Sequence, residues 1–239
     1  MVYTLPNGKN RVLVGAEGHA PIRGNSVDVF IALLPIINGN AVRTAPTQQF
    51  LTVATGGAAA AAETINIDET ISALIPANSF LHFYNTTTGE EYLAQLTADV
   101  SSGSALSVKA LTEAIPAGAV ASSVSYLWDR TDASVDRTYN RATVSTFNTG
   151  GDEDGVITGA SRSFTLPGLL YRKNAGYLNA LWAAENGREV YFQRLLGGVL
   201  DMEGAAVVTA APSASPVDGN VSADLTLAIQ GKPVEGLLQ

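Results

Sequence analysis

The 239-residue chain contains no cysteine, which excludes disulfide staples, thiolate metal centres and thiol nucleophiles. It has two histidines, His19 and His82, far apart in the sequence. An imidazole-rich metal site is therefore excluded, and a Ser-His-Asp arrangement would have to use one of these two. Charge is also scarce. Asp, Glu, Lys and Arg make up 15% of the residues, against about 25% in an ordinary soluble domain. A surface of Ala, Ser, Thr and Gly is one explanation. Burial against other subunits is the sharper one, because the cores of interfaces are depleted of charge. No apolar run reaches the ~20 residues that span a bilayer. The run VDVFIALLPII is short, ends at Pro35 and Asn38-Gly39, and reads as a buried strand. MVYTLPNGKNR lacks the apolar stretch of a secretory signal. None of G-x-x-x-x-G-K-[ST], G-x-S-x-G or H-E-x-x-H occurs. These absences predict no catalytic residue, cofactor or metal, and so no enzyme.

The net charge of −8 argues against free binding to nucleic acid, which needs a basic footprint. The charge is unevenly spread. Residues 46–122 hold seven acids (Glu63, Asp68, Glu69, Glu90, Glu91, Asp99, Glu113) and one base, Lys109.

What is present is mostly β patterning. The same segment, 46–122, carries an internal repeat: TINIDETISALIPAN (64–78) matches ALSVKALTEAIPAG (105–118) with one gap. Ile65 and Ile67 alternate in the first copy, Leu106 and Val108 in the second, and both copies reach Ile-Pro-Ala followed by a turn residue. The segment therefore reads as an inserted small β unit built from two related halves. The alanines 58–62 are too few to nucleate a helix and read as a linker or lead-in. Residues 1–26 read as an N-terminal arm, and 27–45 with 123–239 as the core. Strands are expected near 27–37, 138–147, 161–171, 188–198 and 204–211. A longer one over 221–230 has Val221, Ala223, Leu225, Leu227 and Ile229 on one face, and Ser222, Asp224, Thr226, Ala228 and Gln230 on the other. Gly231 and Pro233 are expected to end it.

One helix is expected, about 174–186. Tyr177, Leu178, Leu181 and Trp182 form its apolar stripe, Asn174 caps it, and Gly187 stops it. The predicted class is mainly β: a β-sandwich or barrel with one packed helix and an inserted β unit. In DRTDASVDRTYNR acids and arginines alternate, as in an ion-pair ladder at a subunit contact or a solvated strand face. GGDEDG (150–155) lacks EF-hand spacing and reads as a solvated acidic hairpin loop rather than a Ca²⁺ site. Trp128 and Trp182 could stack a sugar, although Trp182 lies on the helix stripe, where core packing is the stronger reading.

The order NTGGDEDGVITGASRSFTLPGLL, helix AGYLNALWAAENG, REVYFQRLLGG, then GAAVVTAAPSASPVDGNVSADLTLAIQGKP resembles the major tail tube proteins of tailed bacteriophages. The same fold occurs in type VI secretion tubes, so the fold alone does not separate the two. The resemblance covers roughly 123–239 and 27–37. It implies a structural virion protein whose hexameric rings stack into a tube, through which viral DNA passes to the host without specific binding. It also implies tape measure, tail terminator or baseplate proteins as partners, no membrane, and residence in the virion tail after assembly in the host cytoplasm. Asp152, Glu153, Asp154, Ser222 and Asp224 are the candidate lumen or ring-contact residues. The alternative from another class is a carbohydrate-binding or adhesion β-module on a virion or cell surface.

Overall fold

The alternating stretch near the C-terminus lies inside the largest sheet. In a computed structural model, residues 2–4, 10–12, 27–127, 130, 133–144, 154–170, 173–214 and 221–236 are described. Among them the chain is mostly β with a single helix. Seven antiparallel strands form one sheet in the order Ser125–Tyr126, Val27–Leu33, Glu189–Leu196, Val199–Ala210, Leu225–Glu235, Asp154–Leu166, Ser134–Val144. Leu225 and Leu227 are fully buried, and Thr226 and Ala228 on the opposite face are half-buried. Burying each leucine contributes roughly 1.5–3 kcal/mol. The same alternation puts Val29, Ile31 and Leu33, Val190 and Phe192, and Phe164 and Leu166 into one core with the leucines.

The closing strand does not stop at Gly231 and Pro233, contrary to the sequence expectation: it runs on to Glu235. Ala205 pairs with Gln230 and Glu203 with Val234, so the intervening residues form a bulge opposite Gly204. Gly231 adopts φ +72°, a left-handed conformation that glycine enters without strain. Pro233, which has no N–H to give to a ladder, sits inside the bulge, one of the places a sheet tolerates it. Turn residues therefore kink this strand without ending it. The strands over 134–144, 154–166 and 199–210 likewise begin earlier than their sequence signals.

The helix runs Ala175–Glu185. The Asn174 side chain accepts from the Tyr177 amide, and Gly187 (φ +60°) follows its end. Its buried face matches the predicted stripe in part: Tyr177 is buried in the core, and Leu181 and Trp182 pack against it from half-buried positions. Ala175, Gly176, Tyr177, Asn179, Ala180 and Ala183 are buried, whereas Leu178, Leu181 and Trp182 are half-buried. The reason is close approach. A Cβ on Gly176 would stand 2.8 Å from the Tyr126 carbonyl oxygen, so small residues must face the sheet and the large ones lie along the flanks. Arg188 covers Trp182, 5.7 Å from its ring centre.

Residues 50–122 build a second unit. Its sheet runs Phe50–Thr52, Val120–Ser122, Phe80–Tyr84, Glu91–Gln95. The repeat appears as a pseudo-two-fold. Ile65 pairs with Leu106 across antiparallel strands Thr64–Asn66 and Ala105–Ser107. Around that pair, Val53 bridges Ile67 as Leu96 bridges Val108, and Ala58 bridges Ile115 as Val100 bridges Ile75. The alternating residues of both copies thus share one buried cluster. The buried apolar residues from Leu51 to Ala121 form one cluster that includes none from the seven-stranded sheet. The chain enters and leaves this unit side by side. The Ser123 amide donates to the Gln49 carbonyl at 2.9 Å, and the Gln49 amide donates to Ser123 Oγ at 2.9 Å.

Of residues 1–26, the reading as an arm falls largely outside the described residues. Within them Val2–Thr4 pairs antiparallel with Asn10–Val12.

Candidate functional site

The large sheet has two chemically different faces, set by strand alternation. On the helix-side face lie the core residues and, beyond them, Arg137, Arg162 and Arg194. On the other face, register aligns Asp136, Ser163, Ala228 and Val207 in one row and Ser134, Thr165, Thr226 and Ala210 in the next. Ala205 and Gln230 continue it. From Thr226 to Gln230 and on the two strands beside it this stretch presents short neutral side chains, bounded by Asp136 at one end of the row and by Glu189, ion-paired with Arg43, at the other. Lys232 lies within the bulge, at the far end. Nearer the opposite edge the same face carries a small apolar cluster of Phe30, Ala32, Leu34, Val124, Tyr191, Leu195 and Ala205. There Tyr191 donates to Glu203, and burial first, then that bond, pushes the phenol pKa far above its ordinary value.

The second feature is an edge. Asp154–Leu166 pairs with the closing strand only from Ser163 to Leu166. From Asp154 to Arg162 its partner is Ser134–Val144, and that strand is the last in the sheet order. The two form a ribbon whose nine residues from 136 to 144 span about 30 Å. A two-stranded ribbon is marginal in water by itself, and an unpaired edge is a template for another strand. Tyr139 on this ribbon is 55% exposed.

Of the candidate residues, Ser222 and Asp224 come together at the start of the closing strand. Asp224 Oδ1 accepts from the Gly168 amide at 3.0 Å and its own amide donates to the Pro212 carbonyl at 3.1 Å, so it ties two loops together. Ser222 is half-buried and its backbone bridges Leu169. Asp154 opens the long strand opposite Val144, at the far end of the ribbon, and is not brought near the other two. Asp152 and Glu153 lie outside the described residues, as does Trp128. Arg130 donates to the carbonyls of Leu166, Ala223 and Leu169, and Arg137 faces Glu235. Among the described residues no group of three or more His, Asp or Glu could hold a metal ion, and no helix is long and apolar enough to cross a membrane.

Two residues that the sequence reading passed over join the second unit to the helix. Asn179, buried on the helix, accepts from the Phe80 amide at 2.8 Å and donates to the Phe80 carbonyl at 3.1 Å. It occupies the place of a pairing strand residue. Lys173 donates to the Glu91 carbonyl, meets Glu113 at 2.7 Å, and lies 5.6 Å from the Tyr92 ring centre. Tyr92 donates to Glu90 at 2.7 Å, and this bond, with burial, pushes its phenol up to about 12. The one available signal for Asn179 was an amide at the centre of an otherwise apolar helix.

No family model matches the chain, and no curated protein matches it. Solved structures similar to part of it include the tail of an empty gene transfer agent particle, obtained by helical refinement with C6 symmetry. That match has a TM-score of 0.42 and 15% identity, over 47% of this chain and 86% of the other. Another is the virion of a native gene transfer agent particle, with a TM-score of 0.42 and 15% identity, over 48% of this chain and 88% of the other.

Proposed function

We propose that this chain is a structural subunit of a phage-like tail: copies close into hexameric rings, the rings stack into a tube, and viral DNA passes through the lumen. The observation that carries the reading is the segregation of charge on the large sheet. Arg137, Arg162 and Arg194 sit on the helix side, and the opposite face between Thr226 and Gln230 offers short neutral groups, with Arg43 held by Glu189 at the margin of that stretch. A DNA channel needs that, because each Lys or Arg contact to phosphate releases counterions and adds affinity that would arrest sliding. The position of Ser134–Val144 as the last strand of the sheet among the described residues supports ring closure by sheet extension, a heterologous contact that closes by rotation. The residue order that resembles tail tube proteins supports the same assignment.

On this reading the 27–45 and 123–239 segments form the tube wall and residues 46–122 project outward. Tape measure and terminator or baseplate proteins meet the ends, and the chain resides in the virion. The chain carries out no chemistry of its own.

The test has two parts. Purified protein at high concentration is imaged by negative stain, where rings or tubes are expected. A species that stays monomeric across concentration and ionic strength in sedimentation velocity would refute assembly. Thr226→Arg with Ala228→Arg is then expected to leave tubes intact and slow DNA ejection. Unchanged infectivity of such virions would remove this face from the channel.

A further inference from the structure

The helix-side face of the large sheet ends in arginines. Arg137 and Arg162 stand directly opposite each other in the ribbon, two residues along from the core pair Val135 and Phe164. Like charges placed opposite across an antiparallel pair repel. Among the described residues a single carboxylate lies near them: Glu235 Oε1 is 3.5 Å from Arg137 Nη2 and 3.7 Å from Arg162 Nη2. Both separations exceed normal hydrogen-bond length. Arg162 Nε is buried and has no hydrogen-bond partner. Arg194, on the same face, is matched by Asp201 at 3.0 Å and does not relieve the imbalance. Among the described residues two guanidinium groups therefore share one oxygen, leaving one net positive charge and a buried N–H without an acceptor.

Paired guanidinium donors in a fixed fork fit a planar oxyanion. We propose that Arg137 and Arg162 are a receptor for a carboxylate side chain supplied by a second copy of this chain. This rests on the assembly reading above. Arg137 belongs to Ser134–Val144, the last strand of the sheet among the described residues, so a copy extending the sheet arrives beside it. The chain also has more acids than bases, 22 against 14, so a neighbouring copy can supply the missing group. A carboxylate seated there would satisfy Arg162 Nε and separate the two like charges. The contact would be directional as well as attractive, which sets the angle between copies.

Sedimentation velocity and thermal melting of Arg137→Met, Arg162→Met and Glu235→Gln test this. Arg162→Met deletes an unsatisfied buried donor and a like-charge contact, so the unassembled subunit should keep or raise its Tm. Its association should weaken roughly tenfold to a hundredfold, the size of one charge-assisted hydrogen bond. Glu235→Gln should associate at least as well as wild type. An intrachain structural ion pair requires the reverse: a lower Tm for Arg162→Met with undiminished association of the folded fraction. That result overturns the proposal. So does normal association of both arginine variants accompanied by lost retention of a short DNA duplex at low salt, which would make the pair a phosphate site. If the wild type never associates, the assembly reading fails by itself. Carboxylate recognition is then read by titrating acetate and following the Arg162 Nε–H resonance by NMR. A shift that weakens in Arg137→Met sustains recognition, and no shift overturns it.

Discussion

Asn179→Leu isolates the joint between the second unit and the helix. The two side chains have the same number of heavy atoms, so packing changes little and hydrogen bonding changes completely. Asn179 is 1% exposed and supplies both an acceptor and a donor to the Phe80 backbone. In the leucine variant the Phe80 N–H loses its acceptor in a site closed to water, at a cost of about 1–3 kcal/mol. The Phe80 carbonyl keeps the Ser125 hydroxyl at 3.2 Å, so its loss is smaller. Leucine's better helix propensity returns a few tenths of a kcal/mol. The net is about 2 kcal/mol, or a Tm lower by roughly 4–8 °C for a chain of this size. Thermal melting and amide exchange read it together, with Phe80 as the amide whose protection falls most. Asn179→Asp gives a second handle. A buried carboxylate takes up its proton above the ordinary Asp pKa, and the neutral acid again offers a donor and an acceptor. The destabilisation of that variant, relative to wild type, should therefore shrink as pH falls. A leucine variant melting within about 1 °C of wild type, with Phe80 exchange unchanged, would refute the view that Asn179 clamps this joint.

Three further outcomes follow from the same structure. Leu225→Asp puts an unpaired charge at a fully buried position and should cost on the order of 3 kcal/mol or more, while Thr226→Asp on the other face should leave the fold intact; equal melting of the two would show the faces wrongly assigned. Replacing 46–122 by a short Gly/Ser linker should leave a folded sheet-and-helix core that still forms tubes, because the unit's apolar cluster is its own and its ends meet at Gln49 and Ser123; a folded deletion variant unable to assemble refutes this. Tyr92, whose folded pKa is raised from 10.0 to about 12, stabilises the fold in its protonated form, so that contribution is complete below pH 10 and is lost as pH rises towards 12; a near-ultraviolet phenolate titration should lose its transition near pH 12 in Tyr92→Phe, and an unchanged curve would contradict the Glu90 bond.

The sequence by itself determined whatever depends on local period and local capping. Alternation at 225–229 fixes which side chains are buried, because successive residues of a strand face opposite ways whatever the partner. Asn174 and Gly187 bound the helix through their own backbone and side-chain chemistry. The repeat in 64–78 and 105–118 was readable as similarity, but only the tertiary structure set the two copies against each other about the Ile65–Leu106 pair. The same limit explains the corrections. Gly231 and Pro233 read as a stop, yet the neighbouring strand pairs again beyond them, and cross-strand pairing is not a property of either residue alone. Tyr177, Leu178, Leu181 and Trp182 read as the buried stripe of the helix, and of these only Tyr177 is fully buried. The close approach of the Tyr126 backbone decided instead for Gly176, Asn179, Ala180 and Ala183, since steric room at a contact depends on both surfaces. Asp224 read as a candidate lumen or ring contact on the polar face of its strand; the fold brings the Gly168 amide to its carboxylate from 56 residues away. Arg137 and Arg162 are 25 positions apart in sequence and become direct neighbours only through the register of their strands, which no local pattern encodes.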